Sequence, residues 1–131
     1  MASLQPKFSS SSFRAWAFDG KELKPERSAR TEEIWVWDGQ ELRRKFGNRP
    51  EDIWVWNGRE VTRKFGARPE HVMVWDGKEF KPKWGARPEQ IWVWDGRELK
   101  KKFGAKPAET FTTGAGLPPA IIALFLLGVV R

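Results

Sequence analysis

Cysteine and tyrosine are both missing from the 131 residues, and histidine occurs once, as His71. The absence of cysteine excludes disulfide scaffolds and cysteine-based zinc sites and leaves the redox compartment open. His71 lies in a linker without metal-ligand spacing around it, so an exposed side chain is expected there. A Gly-rich phosphate loop and a Ser-His-Asp set are also missing. Catalysis needs convergent groups of unlike kind, and this chain offers none, so neither an enzyme nor a cofactor is expected. Residues 1–12 are Ser-rich and lack the apolar stretch of a secretory signal, so synthesis in a host cytoplasm without a leader is expected. Only 40% of the residues are hydrophobic while 31% are charged. So polar a chain suits many small, locally satisfied units better than one compact core.

Tryptophan, by contrast, is abundant: there are nine. Eight of them, Trp16, Trp35, Trp37, Trp54, Trp56, Trp75, Trp92 and Trp94, fall in a pattern that repeats every 19 residues. An aromatic residue followed by Asp-Gly or Asn-Gly occurs at Asp19-Gly20, Asp38-Gly39, Asn57-Gly58, Asp76-Gly77 and Asp95-Gly96. Such pairs are the strongest two-residue hairpin signals, because a type I′ turn needs positive φ at both central positions. With Asp38-Gly39 at the centre of the loop, Trp37 would face Gln40 and Trp35 would face Leu42. One face of the hairpin then carries Trp35, Trp37, Leu42 and Phe46. The other sets Ile34 and Val36 against Glu41, Arg43 and Lys45. Glu41, Glu60, Glu79 and Glu98 recur at one hairpin position beside basic residues and read as ion-pair partners.

The domain reading follows from this period. Residues 1–14 form a flexible arm. Five hairpins occupy 15–33, 34–52, 53–71, 72–90 and 91–107, residues 108–116 link, and 117–131 form a hydrophobic segment. A lone hairpin is marginal in water, so neighbours must cover each other's Trp face. The expected fold is all-β, an elongated solenoid-like array of hairpins with a short C-terminal helix; a closed barrel is the less favoured arrangement. The first repeat, which has Arg27-Ser28 where the others have Phe-Gly or Trp-Gly, reads as a cap. Pro25 and Pro82 suggest return strands on an edge.

Residues 120–130 are continuously apolar. As a helix they cover about 16 Å, against roughly 30 Å of bilayer core. Ile121, Ile122, Leu124, Phe125, Leu126 and Leu127 therefore read as an assembly anchor that needs cover. That cover could be a self-assembled bundle or a partner's groove, a membrane contact by the C-terminus, or the chain's own repeats. The Trp pairs read first as repeat core, with aromatic clefts for sugars or a choline group as the alternative. The net charge of +7 is spread over the repeats and suits a mixed-sign solvated surface. Nucleic acid is a disfavoured partner, because Glu is mixed in throughout.

The cores Ile53-Trp54-Val55-Trp56-Asn57-Gly58-Arg59-Glu60-Val61 and Ile91-Trp92-Val93-Trp94-Asp95-Gly96-Arg97-Glu98-Leu99 carry a resemblance. They resemble the short W-D/N-G hairpin repeats of minor tail and accessory virion proteins of tailed bacteriophages. The likeness spans residues 15–107, and departs in having Glu-Leu or Glu-Val after the turn where those repeats often have a second aromatic. It implies a non-enzymatic virion component, on the tail more than the head. Its implied partners are other virion proteins, copies of itself, or host cell-surface glycans. The repeat is also similar in length and Trp content to choline-binding repeats of bacterial surface proteins, but lacks their Gly-Trp…Trp-Tyr-Tyr arrangement. An envelope glycan-binding module is the alternative function.

Overall fold

The computed structural model describes residues 2–8, 13–27, 30–47, 49–66 and 68–130. Ser28, Asn48 and Arg131, and residues 1 and 9–12 of the expected arm, lie outside these. The chain builds twelve antiparallel strands: β1 (Ala2–Pro6), β2 (Trp16–Phe18), β3 (Glu22–Pro25), β4 (Trp35–Trp37), β5 (Glu41–Arg44), β6 (Trp54–Trp56), β7 (Glu60–Arg63), β8 (Met73–Trp75), β9 (Glu79–Pro82), β10 (Trp92–Trp94), β11 (Glu98–Lys101) and β12 (Phe111–Thr113). One helix follows, α1 (Pro119–Leu126). The strands pair in sequence order, and β1 joins both β2 and β12, so the sheet closes into a barrel and not a solenoid.

The turn chemistry sets the register. The Asp38 carboxylate Oδ1 accepts the N–H groups of Gln40 at 2.9 Å and Glu41 at 2.7 Å, and Gly39 takes φ +100°. The loop is therefore centred on Gly39-Gln40, one position later than Asp38-Gly39. Trp37 consequently faces Leu42, and Trp35 faces Arg44. The shift moves each partner by two residues, so the expected faces survive although the expected pairs do not. A local side-chain bond outcompeted the two-position positive-φ turn.

Closure follows from the same register. Leu42 pairs with Trp37 on one side and with Trp54 on the other. Trp54 stands two residues before Trp56, the equivalent of Trp37, so each hairpin advances the ladder by two. Six hairpins advance it by about twelve, the same as the strand number. That shear gives a tilt of about 35° and a backbone radius of about 11 Å. The sixth hairpin is β12–β1. Leu4 faces Thr113 and Pro6 faces Phe111, as Leu42 faces Trp37 and Arg44 faces Trp35. Residues 2–6 are thus a wall strand and not an arm, and part of the expected 108–116 linker is its partner strand. Closure removes both sheet edges, which a five-hairpin array would leave open.

The prolines therefore do not mark edges. Pro82 ends β9 opposite Met73, while the β9–β10 ladder already stops at Phe80–Trp92. Its missing N–H would point past the end of that ladder, so no bond is lost. Pro25 and Pro6 hold the same position.

Three inner tiers line the wall. Leu4, Leu23, Leu42, Val61, Phe80 and Leu99 form one; Trp16, Trp35, Trp54, Met73, Trp92 and Phe111 another; Phe18, Trp37, Trp56, Trp75, Trp94 and Thr113 the third, nearest the turns. The bore they leave holds α1. Ala120, Ile121, Ile122, Ala123, Leu124 and Phe125 are consecutive and all buried. Burial on every side of a helix requires cover on every side. A helix with its side chains is about 10–12 Å across, which suits the bore of such a barrel. The helix leans on the β7–β8 wall, where Val61 and Met73 replace bulkier Leu and Trp and leave room. The apolar segment is therefore the core of its own barrel. Of the three covers, the chain's own repeats supply it for Ile121, Ile122, Leu124 and Phe125, which leaves them unavailable as an anchor, while Leu126 and Leu127 are half-buried and line a hollow with His71 and Trp92.

Candidate functional site

The barrel has two unlike ends. All the Asp-Gly or Asn-Gly turns gather at one end, the turn rim. The linkers gather at the other, the loop rim, where short 3-10 turns such as Pro50–Asp52 and Pro69–His71 lead into the next strand. The residues singled out as turn formers, Asp19-Gly20, Asp38-Gly39, Asn57-Gly58, Asp76-Gly77 and Asp95-Gly96, are all exposed at the turn rim. The carboxyls of Asp19, Asp38, Asp76 and Asp95 lie below the usual carboxylate range. In each the largest cause is the backbone N–H of the glutamate three residues on, followed by that of the residue two on. Asn57 makes the same two bonds without a charge.

Among the tryptophans, Trp16, Trp35 and Trp54 are buried in the wall and serve as core. Trp92 is half-buried in the same tier. Trp37, Trp56, Trp75 and Trp94 pack on that core with one edge toward the turn rim. Trp75 stacks on Phe80 at 4.3 Å and meets Trp94 at 5.4 Å, and a shallow groove runs between the two turns beside them. The Trp94 indole N–H donates to Thr113 Oγ1 at 2.8 Å. The inner faces of Trp37, Trp56, Trp75 and Trp94 are thus occupied by protein, while at the loop rim Trp35 and Trp54 line one hollow with His71 and Trp92 lines another.

Five large apolar side chains stand in the opposite situation. Phe8, Phe46, Phe65, Trp84 and Phe103 are between 44% and 55% exposed, all at equivalent places on the loop rim. Phe46 was expected on the inner face with Trp35. Instead β5 ends at Arg44, and Gly47, at φ +62°, turns the chain so that Phe46 projects from the rim. Each aromatic carries the ammonium of the preceding lysine over its ring, at 4.8 to 5.7 Å. That lysine also ties two units together. Lys45 reaches Glu22 at 2.7 Å, Lys64 reaches Glu41 at 2.9 Å, Lys83 reaches Glu60 at 3.1 Å, Lys102 reaches Glu79 at 2.7 Å and Lys7 reaches Glu98 at 2.6 Å. The sixth station has Glu26 and Ser3 in place of Lys and Glu, and Arg27 in place of the aromatic. Both charges of the pair are lost there together.

Inside the crown, at the mouth of the loop rim, Arg44 lies over Trp35 and Arg63 over Trp54. Arg44 also reaches Asp52 at 3.5 Å. His71 is half-buried and set edge-on to Trp54, not freely exposed as the linker reading expected. Phe13 closes part of this mouth, edge-on to Phe111 and Phe125. Among the described residues, no three His, Cys, Asp or Glu side chains group as metal ligands do, and no helix is long and apolar enough to cross a membrane.

The crown was legible in the sequence only as a Phe-Gly or Trp-Gly terminator. The missed signal was the period carried outward, since Phe8 stands 38 residues before Phe46 and Phe111 stands 19 after Trp92. No protein-family model, curated protein or solved structure matches the chain.

Proposed function

We propose that this chain is a non-enzymatic structural component of a tailed phage virion, a minor tail protein that docks through the rims of its barrel. The observation that carries this reading is that the large apolar side chains that are exposed among the described residues all stand at one rim of a plugged, six-hairpin barrel. Half-exposed aromatic side chains repeated around one end of a rigid scaffold favour a contact surface there. A lumen filled by α1 leaves little room for a substrate, and inward-facing tryptophans weaken the glycan-cleft alternative. The resemblance of residues 15–107 to phage tail hairpin repeats supplies the setting.

Attachment by the C-terminal segment is no longer part of the reading, because residues 120–125 are internal. The crown takes its place. Immunogold electron microscopy, with antibody against residues 31–107 and phage particles from the source, tests the proposal. Gold on the tail is the expected result, and gold on the head would keep the virion role and move the position. Label on the host envelope and none on particles would overturn it in favour of a wall-binding module.

A further inference from the structure

The mouth of the loop rim repeats one pair of positions: the last residue of each return strand and the residue eight further on. Arg44 and Asp52 are such a pair, 3.5 Å apart, and Lys101 and Glu109 are another, 3.2 Å apart. Where the first position is Pro6 or Pro25, the second positions, Arg14 and Glu33, pair with each other. Pro82 and Gln90 leave one place without charge. The remaining pair is Arg63 with His71. Histidine stands there where the neighbouring units have Asp52 and Glu109, so Arg63 lacks the carboxylate that the period supplies elsewhere.

The consequence is visible at two atoms. Arg44 donates to the backbone carbonyl of Glu32 as well as reaching Asp52. Arg63 has neither kind of partner among the described residues, and its guanidinium carbon lies 5.4 Å from the centroid of the Trp54 ring. Its Nε is buried without a hydrogen-bond partner, and so is Nδ1 of His71. The His71 ring stands edge-on to the same indole, with centroids 6.4 Å apart. Both side chains line one hollow of about 270 Å³, completed by Leu127, Gly128 and Val129. Glu51 also borders it, but is exposed and forms no salt bridge with Arg63. Native proteins leave few buried donors unmet, because each costs free energy. Two such nitrogens beside an uncompensated cation call for one group, an acceptor with negative charge. Drug-sized ligands fill roughly 300–1,000 Å³, so this hollow suits a group of side-chain size.

We propose that Arg63 and His71 form a carboxylate-binding site in the mouth of the loop rim. Arg63 donates from Nε and His71 from Nδ1, in the tautomer that carries its proton there. The carboxylate belongs to a small free acid or to an acidic side chain of a partner. It is the group that the repeat itself sets against this cation in the neighbouring units, and a guanidinium matches it in charge and geometry. Trp54 holds the guanidinium in place through its ring face. The site goes beyond the virion reading and does not depend on it.

His71 is the only histidine in the chain, so its ring resonances report on the site without ambiguity. Proton NMR of the full chain tests the proposal, at constant pH and ionic strength, as chloride is replaced by acetate or by N-acetyl-aspartyl amide. Saturable shifts are expected, with a dissociation constant on the order of 1–10 mM. Arg63→Gln should weaken binding by about tenfold or more. His71→Asp sets against Arg63 the carboxylate that the neighbouring units have. It should abolish saturation transfer to acetate, with a urea midpoint at or above that of the parent. Tighter binding of the aspartyl amide would name an acidic side chain as the source, and tighter binding of acetate a free acid; either supports the site. No saturable shift with either probe would overturn it, as would unchanged affinity in Arg63→Gln. Gold on the tail without carboxylate binding would leave the virion reading standing and remove this site alone.

Discussion

An aspartate before each turn glycine does two things, and pH separates them. Its carboxylate accepts two backbone N–H groups, which fixes the turn register, and those bonds hold its pKa below the ordinary value. A depressed pKa in the folded state adds stability above the unfolded value, and that stability is lost as pH falls through the folded value. Asp19, Asp38, Asp76 and Asp95 should therefore make the barrel lose stability as pH drops below about 4. Replacing all four with Asn should flatten this acid limb, as read by urea unfolding across pH, because the amide accepts the same bonds at every pH. A second contrast at this scale separates core from crown. Trp54→Ala removes a wall side chain that is 2% exposed and should cost about 3–5 kcal/mol. Phe65→Ala on the rim should change stability by no more than about 0.5 kcal/mol. Equal losses at the two sites in urea titrations would contradict the division between them.

Among the elements, the hairpins were legible and their partners were not. Asp-Gly pairs, the alternation around Trp35 and Trp37, and the 19-residue spacing fixed strand positions and faces. Turn centre was misplaced by one residue because the side chain of Asp38 competes with the backbone for the N–H groups of the turn. The terminal strands escaped notice because Leu4 and Phe111 lack the Asp-Gly signal, and their pairing joins residues more than a hundred apart. Met73 stands where neighbouring repeats have Trp54 and Trp92. The reason is α1, which occupies the space beside β8. Met73→Trp would restore the residue found at Trp54 and Trp92, yet it should cost about 1–3 kcal/mol by crowding the helix. A gain in the thermal midpoint would mean that the helix does not lean on this wall.

At the scale of the molecule, closure and plug depend on each other. Six hairpins that each advance the ladder by two produce a bore too wide for the wall side chains alone, and α1 fills it. The ring of Lys–Glu pairs between units adds register more than energy, since exposed pairs contribute roughly 0–1 kcal/mol each. Composition pointed away from a single core because the outer face of every strand is polar. The inner face, read once around the ring, is continuous. The apolar run at 120–130 looked like an anchor because its cover lies in residues scattered over the whole chain, and no local pattern announces that.

The most direct test of the internal helix is the urea unfolding midpoint of Leu124→Asp. Leu124 is wholly buried in the bore, so a carboxylate there should cost several kcal/mol or abolish the cooperative transition. A midpoint equal to that of the parent chain would show that the segment lies outside the barrel, and would contradict the plugged six-hairpin fold.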